Sequence, residues 1–350
     1  MNPPVIDLHE DVSLYYTFAG HGLKFGPADF DADVPGRHGD IPKYRRANVR
    51  LVFAAIAFVM PTVSGYRSAQ LTAGYGMRFG TYRVRAPVAV ALEHVKVYYG
   101  LLSKHGRDLG LIRRPEDVKE VERGDGRTWF LMALEGAEPL EDVEDLDLFY
   151  ALGLRSLQLT WNFDNKYAAS CMSRRDYGLT GDGAELVRRC NELGVIVDLA
   201  HASRRTALEV LETSELPAVI SHANASAVHQ HKRNVDDEVL ERLKGNGGVI
   251  GVTLIEPTIG AEADFRRLAD HVMHIRRRIG IDHVALGTDF FGLLNMREPE
   301  GLEDVTRLEN LWRELRSRGL SEEEVEKVAF RNAMRVIWAN AERWVDLFRR

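Results

Sequence analysis

Eight short apolar runs alternate with stretches of helical period along this chain, and that alternation limits the folds open to it. The runs occupy 4–9, 49–58, 129–134, 154–160, 195–200, 217–221, 248–255 and 283–288. They are continuous rather than alternating and are bounded by Gly, Pro or polar residues, the mark of strands buried on both faces in a parallel sheet. Between them, 183–193, 204–211, 237–243 and 263–279 carry apolar residues at helical spacing. Strand–helix–strand repetition demands right-handed crossovers. Eight such units predict an α/β fold, a (β/α)8 TIM-type barrel. The length of 350 residues suits a single domain over 1–350 with an active-site-face insertion better than two unrelated domains.

A second pattern lies on the first. Val5-Ile6-Asp7-Leu8 closes in His9-Glu10-Asp11, and the run 129–134 ends in Glu135-Gly136. The runs 195–200, 217–221 and 283–288 end in His201, His222 and Asp289. Residues i and i+2 of an extended segment point to one side, so His9 and Asp11 leave their strand together. One such pair reads most simply as a solvated turn. Five ligand-type residues at five strand ends are better explained by one metal site, because barrel active sites gather at the C-terminal ends of the strands. The other histidines do not end a strand and receive no ligand role.

The chemistry follows from the residue types. His9 and Asp11 form one set and His201 and His222 another, with Glu135 available to both. Two metal ions about 3.5–4 Å apart can clamp an attacking hydroxide and polarise a carbonyl, and they need a bridging anion. A modified lysine can serve as bridge in barrel hydrolases, but 154–160 contains none, which favours Glu135. Asp289 is then free to act as general base on the attacking water. Histidine and carboxylate ligands suit zinc, with manganese, cobalt and iron also open.

Composition narrows the setting. A net charge of −6 provides no basic patch and argues against nucleic acid as a partner. Two cysteines, Cys171 and Cys190, make no disulfide framework and are expected reduced. Neither a secretory leader nor a lipid-anchor tail is recognisable, so the expectation is a cytoplasmic protein without a membrane anchor. Residues 61–86, rich in Gly, Tyr and Arg, follow the second strand without clear period. An active-site lid, a homodimer interface and a plain loop are all open for them.

These motifs resemble the renal or membrane dipeptidase family, a branch of the metal-dependent amidohydrolases. The resemblance rests on Val5-Ile6-Asp7-Leu8-His9-Glu10-Asp11, Leu134-Glu135-Gly136, Asp198-Leu199-Ala200-His201-Ala202-Ser203 and Ser221-His222-Ala223. Arg233-Asn234-Val235, Gly287-Thr288-Asp289-Phe290 and Glu300-Gly301-Leu302-Glu303-Asp304-Val305 extend it. It implies a barrel with two zinc ions that hydrolyses dipeptides, including those with a C-terminal D-residue. Carried over, His9 and Asp11 bind one zinc, His201 and His222 the other, Glu135 bridges, and Asp289 handles the proton. Arg233 would hold the substrate's free carboxylate, which a planar guanidinium matches bidentately.

Two positions depart from the family pattern. Leu159-Thr160-Trp161-Asn162 stands where the family has Leu-Thr-His-Asn, and Asp289-Phe290-Phe291-Gly292 where it has Asp-Phe-Asp-Gly. The resemblance makes Trp161 and Asn162 substrate-side residues, and the histidine absent at 161 would face the developing oxyanion. Two alternatives therefore stay open: an amidohydrolase for a different amide or lactam, and a metal-binding barrel without catalysis.

Overall fold

The computed structural model describes residues 2–17, 29–57, 73–74, 85–294 and 296–347. Nine strands run along the chain: β1 (Val5–Glu10), β2 (Val49–Ile56), β3 (Leu109–Leu111), β4 (Thr128–Glu135), β5 (Leu154–Gln158), β6 (Ile196–Asp198), β7 (Val219–Ile220), β8 (Val249–Val252) and β9 (Val284–Leu286). All pair in parallel. β1 pairs with β2 and β9, and β2 pairs in turn with β4 from Leu51↔Trp129 to Ile56↔Leu134. The remaining pairs, β4–β5 through β8–β9, close an eight-stranded barrel. Each barrel strand falls within or beside one of the eight apolar runs.

β3 was not expected from the sequence. Its three residues are too short to show a period, and it pairs only with the start of β4, at Leu109↔Thr128 to Leu111↔Phe130. β5 takes up the same edge of β4 further on, from Met132. Several strands also stop short of their apolar runs, for a physical reason. The N–H groups of Ala200 and Ser221 both donate to Asp198 Oδ1, at 3.0 and 2.9 Å, and that of Thr288 donates to Asp7 Oδ1 at 2.9 Å. Side chains thus take the backbone donors that would have extended the ladder.

The surrounding helices bury one stripe each. In Phe265–Ile279, Leu268, Val272, Ile275 and Ile279 face inward, and the Asp264 carboxylate caps the first turn by accepting from Arg267 N–H. Each such side chain stabilises the fold by roughly 1.5–3 kcal/mol on burial. Among the described residues no helix is long and apolar enough to cross a membrane. The insertion expected at 61–86 lies outside the described residues except at 73–74 and 85–86.

Candidate metal centre

β1, β4, β6, β7 and β9 deliver His9, Asp11, Glu135, His201, His222 and Asp289 to one end of the barrel, all buried. Glu135 lies at the middle of the cluster. Its Oε1 is 3.7 Å from His9 Nε2, 3.3 Å from His201 Nε2 and 3.8 Å from His222 Nε2. His9 Nε2 also lies 3.4 Å from Asp11 Oδ2 and 3.6 Å from Asp289 Oδ1. The two imidazoles of β6 and β7 point at each other, with His201 Nε2 and His222 Nε2 2.9 Å apart. His9 lies over His222, their ring centroids 3.9 Å apart. Three overlapping groups of candidate ligand atoms result: His9–Asp11–Glu135, Glu135–His201–His222 and His9–His222–Asp289.

Local backbone geometry produces this convergence. His201 (φ 66°) and Asp289 (φ 64°) adopt left-handed conformations that non-glycine residues seldom occupy. Such strain persists only where surrounding structure fixes it, and it clusters at functional sites. The lack of a side chain at Gly292 is equally specific, since a Cβ there would overlap carboxylate oxygens of both Asp11 and Asp289.

Without a cation this cluster is electrostatically unfavourable. Burial pushes the Asp11 carboxyl up to about 7. Burial, and then the charge of Asp11, raises Glu135 and Asp289 well above the usual carboxylate range. Burial holds His9 below, and His201 and His222 well below, the ordinary imidazole value. Neutral imidazoles and clustered carboxylates are what a divalent cation needs as ligands. Both ring nitrogens of His9 and Oδ1 of Asp11 are buried with no hydrogen-bond partner among the described residues. Unpaired buried groups of this kind cost free energy that coordination would offset, so the residues present fit a metal.

The other expected site residues also gather here. Asn162 Oδ1 lies 2.9 Å from His201 Nδ1, behind the metal-facing nitrogen. The Trp161 ring centroid is 6.0 Å from that of His201, and its indole packs edge-on against Phe163. Arg233 is buried, donates from Nη2 to the His222 carbonyl at 3.1 Å, and has an Nε without partner among the described residues. It lines a cavity beside His201 together with Ser170, Cys171 and Lys232.

Sequence reading missed Asp7, Asp198 and Ser221, which hold the strand ends in place. Their signal was present: an aspartate inside an apolar strand, as in Val5-Ile6-Asp7-Leu8 and Ile196-Val197-Asp198-Leu199, is buried only when it finds donors. His38, which ends no strand, backs the site from outside. Its Nδ1 accepts the Phe291 N–H at 2.8 Å, and its ring stacks on Phe290.

A closed parallel barrel with imidazoles and carboxylates converging at its strand ends defines an amidohydrolase-like protein. The match to the family model of membrane dipeptidase (peptidase family M19) runs over residues 1–345, and the chain belongs to that family. The family implies a metal. A dipeptidase of Clonostachys rogersoniana, verJ, is 36% identical over 250 residues, covering 70% of this chain and 64% of that relative. An uncharacterized dipeptidase of Schizosaccharomyces pombe is 34% identical over 261 residues, covering 72% of this chain and 62% of the relative. The matches therefore span less than two thirds of these curated relatives. Among solved structures, a metallo peptidase from Rhodobacter sphaeroides bound to a phosphinate mimic of L-Ala-D-Ala is 26% identical. It superposes with a TM-score of 0.79 and covers 97% of this chain and 100% of its own.

Proposed function

We propose that this protein is a metal-dependent dipeptidase that hydrolyses the amide bond of L-L or L-D dipeptides with two zinc ions. The observation that carries the reading is Glu135 Oε1, within 3.7 Å of His9 Nε2 on one side and 3.3 Å of His201 Nε2 on the other. A carboxylate so placed can serve two cation sites at once. His9 and Asp11 would hold one ion, His201 and His222 the other, and Glu135 both. When bound, zinc supplies Lewis acidity toward a carbonyl and acidifies a water.

The chain's own groups do the rest. Asp289, beside His9, takes the proton of the attacking water and passes it to the departing amine. Arg233 receives the substrate's free carboxylate through the guanidinium edge that carries its unpartnered Nε. Asn162 orients His201, and Trp161 lies beside that imidazole, with ring centroids 6.0 Å apart. The unpaired thiols of Cys171 and Cys190 support a reducing, cytoplasmic setting.

The test is release of amino acids from a panel of L-L and L-D dipeptides by zinc-loaded protein, with and without a chelator. Chelator-sensitive release is expected, and its absence across the panel would refute the reading. One observation favours a second reading, an amidohydrolase for another amide or lactam. Trp161 stands where a family histidine would be, and an indole has one N–H donor and no cationic form. Turnover of such an amide far above that of any dipeptide would establish it.

A further inference from the structure

The cavity beside His201 carries more positive charge than one dipeptide carboxylate needs. It encloses about 390 Å3, within the range of small-molecule sites. Five of its lining residues are charged: Asp176, Arg204, Lys232, Arg233 and Asp236. Three of these are already satisfied. Asp236 Oδ2 accepts from Arg204 Nε at 2.6 Å, and its Oδ1 accepts the Val239 N–H at 3.0 Å. Asp176 accepts from the Ser203 hydroxyl and from the Arg205 N–H. Two cations are left. Arg233 donates from Nη2 to the His222 carbonyl and keeps an Nε without partner among the described residues. Lys232 is exposed and makes no hydrogen bond or ion pair among the described residues. On a chain of net charge −6, two consecutive cations that line one cavity without a counter-charge are a local exception.

We infer that this cavity receives the side chain of the substrate's C-terminal residue and that Lys232 selects an acidic one, so that dipeptides ending in aspartate or glutamate are the preferred class; this rests on the dipeptidase reading above. In that reading Arg233 takes the α-carboxylate. The side chain of the same substrate residue then enters the cavity that Arg233 and Lys232 line together. Aspartate or glutamate supplies a second carboxylate for the second cation. Any other C-terminal residue supplies one carboxylate and leaves Lys232 with water alone. The ammonium is a compact charge on a flexible stem, so it can follow an acidic side chain of either length, while the buried guanidinium stays fixed on the α-carboxylate. Ser226 and Gln230 line the same cavity and add polar groups for the remaining carboxylate lone pairs. A basic C-terminal side chain would meet like charge and be disfavoured.

The test compares each acid with its uncharged isostere. The zinc-loaded full chain is assayed on Ala-Asp against Ala-Asn and on Ala-Glu against Ala-Gln, with the second residue in L and in D form. kcat/KM for the acid should exceed that for the amide by about 5-fold, the upper end for a partly exposed charge pair. The excess should shrink as salt is raised, because exposed pairs are screened. In Lys232→Met the ratio of acid to amide should fall to parity. In Lys232→Glu it should drop below parity, and Ala-Lys should gain over Ala-Gln.

Lys232 is exposed, so neither substitution threatens the fold, and general damage would lower acid and amide together without moving their ratio. Parity in the wild type, with dipeptides turned over, would overturn the inference and leave the dipeptidase reading intact. A preference for the acid that survives Lys232→Met would overturn it as well, because another group would then be reading the second carboxylate. Turnover of no dipeptide at all would overturn the dipeptidase reading and the inference with it.

Discussion

Asp289 Oδ1 lies 3.6 Å from His9 Nε2, and a backbone bond joins the same two residues, with Asp289 N–H donating to the His9 carbonyl at 3.0 Å. The first and last strands of the barrel thus meet at the reacting centre. The left-handed conformation of Asp289, with φ 64°, turns its carboxylate toward His9 instead of along the strand. Asp289→Asn keeps that shape and removes the proton acceptor. It should lower kcat on the order of 10²–10⁴-fold. Zinc content, measured on the same preparation, should stay at the wild-type level. Loss of zinc in step with activity would make Asp289 a ligand and not a base.

His201 and His222 test the second cation site. Each presents Nε2 to Glu135 Oε1, at 3.3 and 3.8 Å. Replacement of either by alanine should reduce bound zinc by about one ion per chain while leaving the site of His9 and Asp11 occupied. Metal analysis after dialysis checks this, and unchanged zinc in both variants would mean that the site is misassigned.

Much of this arrangement is legible in the sequence because it depends on short-range order. A continuous apolar run such as Val195-Ile196-Val197 must be buried on both faces, and a histidine at its end must lie at the barrel rim. The five strand-end positions follow from that alone. What stays hidden depends on pairing between distant segments. Nothing near Asp198 indicates that its donors include the N–H of Ser221, and nothing near Asp7 points to Thr288. β3 is invisible for another reason, since a three-residue strand carries no periodic signal. Asn162 is named in the sequence only through the family pattern, and its direction toward His201 Nδ1 emerges only from the folded backbone.

His271 gives a pH dependence independent of the metal centre. It is fully buried, its Nδ1 accepts the Ala225 N–H at 3.1 Å, and its Nε2 faces the Ile259 carbonyl at 3.1 Å. The bond at Nδ1 requires the neutral ring, whereas Nε2–H donates to the Ile259 carbonyl in either state, and burial is the main cause that pushes its pKa down from 6.5 to about 4. Between those values the unfolded chain binds the proton and the folded chain does not. Stability therefore rises with pH across this window and is lost on acidification, by about 3 kcal/mol once pH has fallen through 4. His271→Gln should lower the slope of unfolding free energy against pH by up to one proton between pH 6.5 and 4. Urea titrations over that range measure it, and an unchanged slope would mean that His271 does not titrate as a buried neutral ring.

Arg233 and Trp161 separate binding from turnover. Arg233 is held by the His222 carbonyl and sits beside His201 with its Nε unpartnered among the described residues. For a substrate with a free carboxylate, Arg233→Met should mainly raise KM, since losing one partner of a buried charge pair costs on the order of 2–5 kcal/mol. A substrate analogue with an amide in place of that carboxylate should lose little further in the variant. Trp161 acts on the other parameter. Its ring lies 6.0 Å from that of His201, so a side chain at this position reaches the rim of the metal centre. Trp161→His would place a donor, cationic when protonated, where charge develops on the scissile carbonyl, and one such donor is worth roughly 3 kcal/mol in the transition state. Dipeptide kcat should therefore rise with KM little changed, the pattern of an interaction made only in the transition state. A kcat that stays flat or falls would show that position 161 does not face the oxyanion, and would move the search for the preferred substrate to amides and lactams that the indole can line.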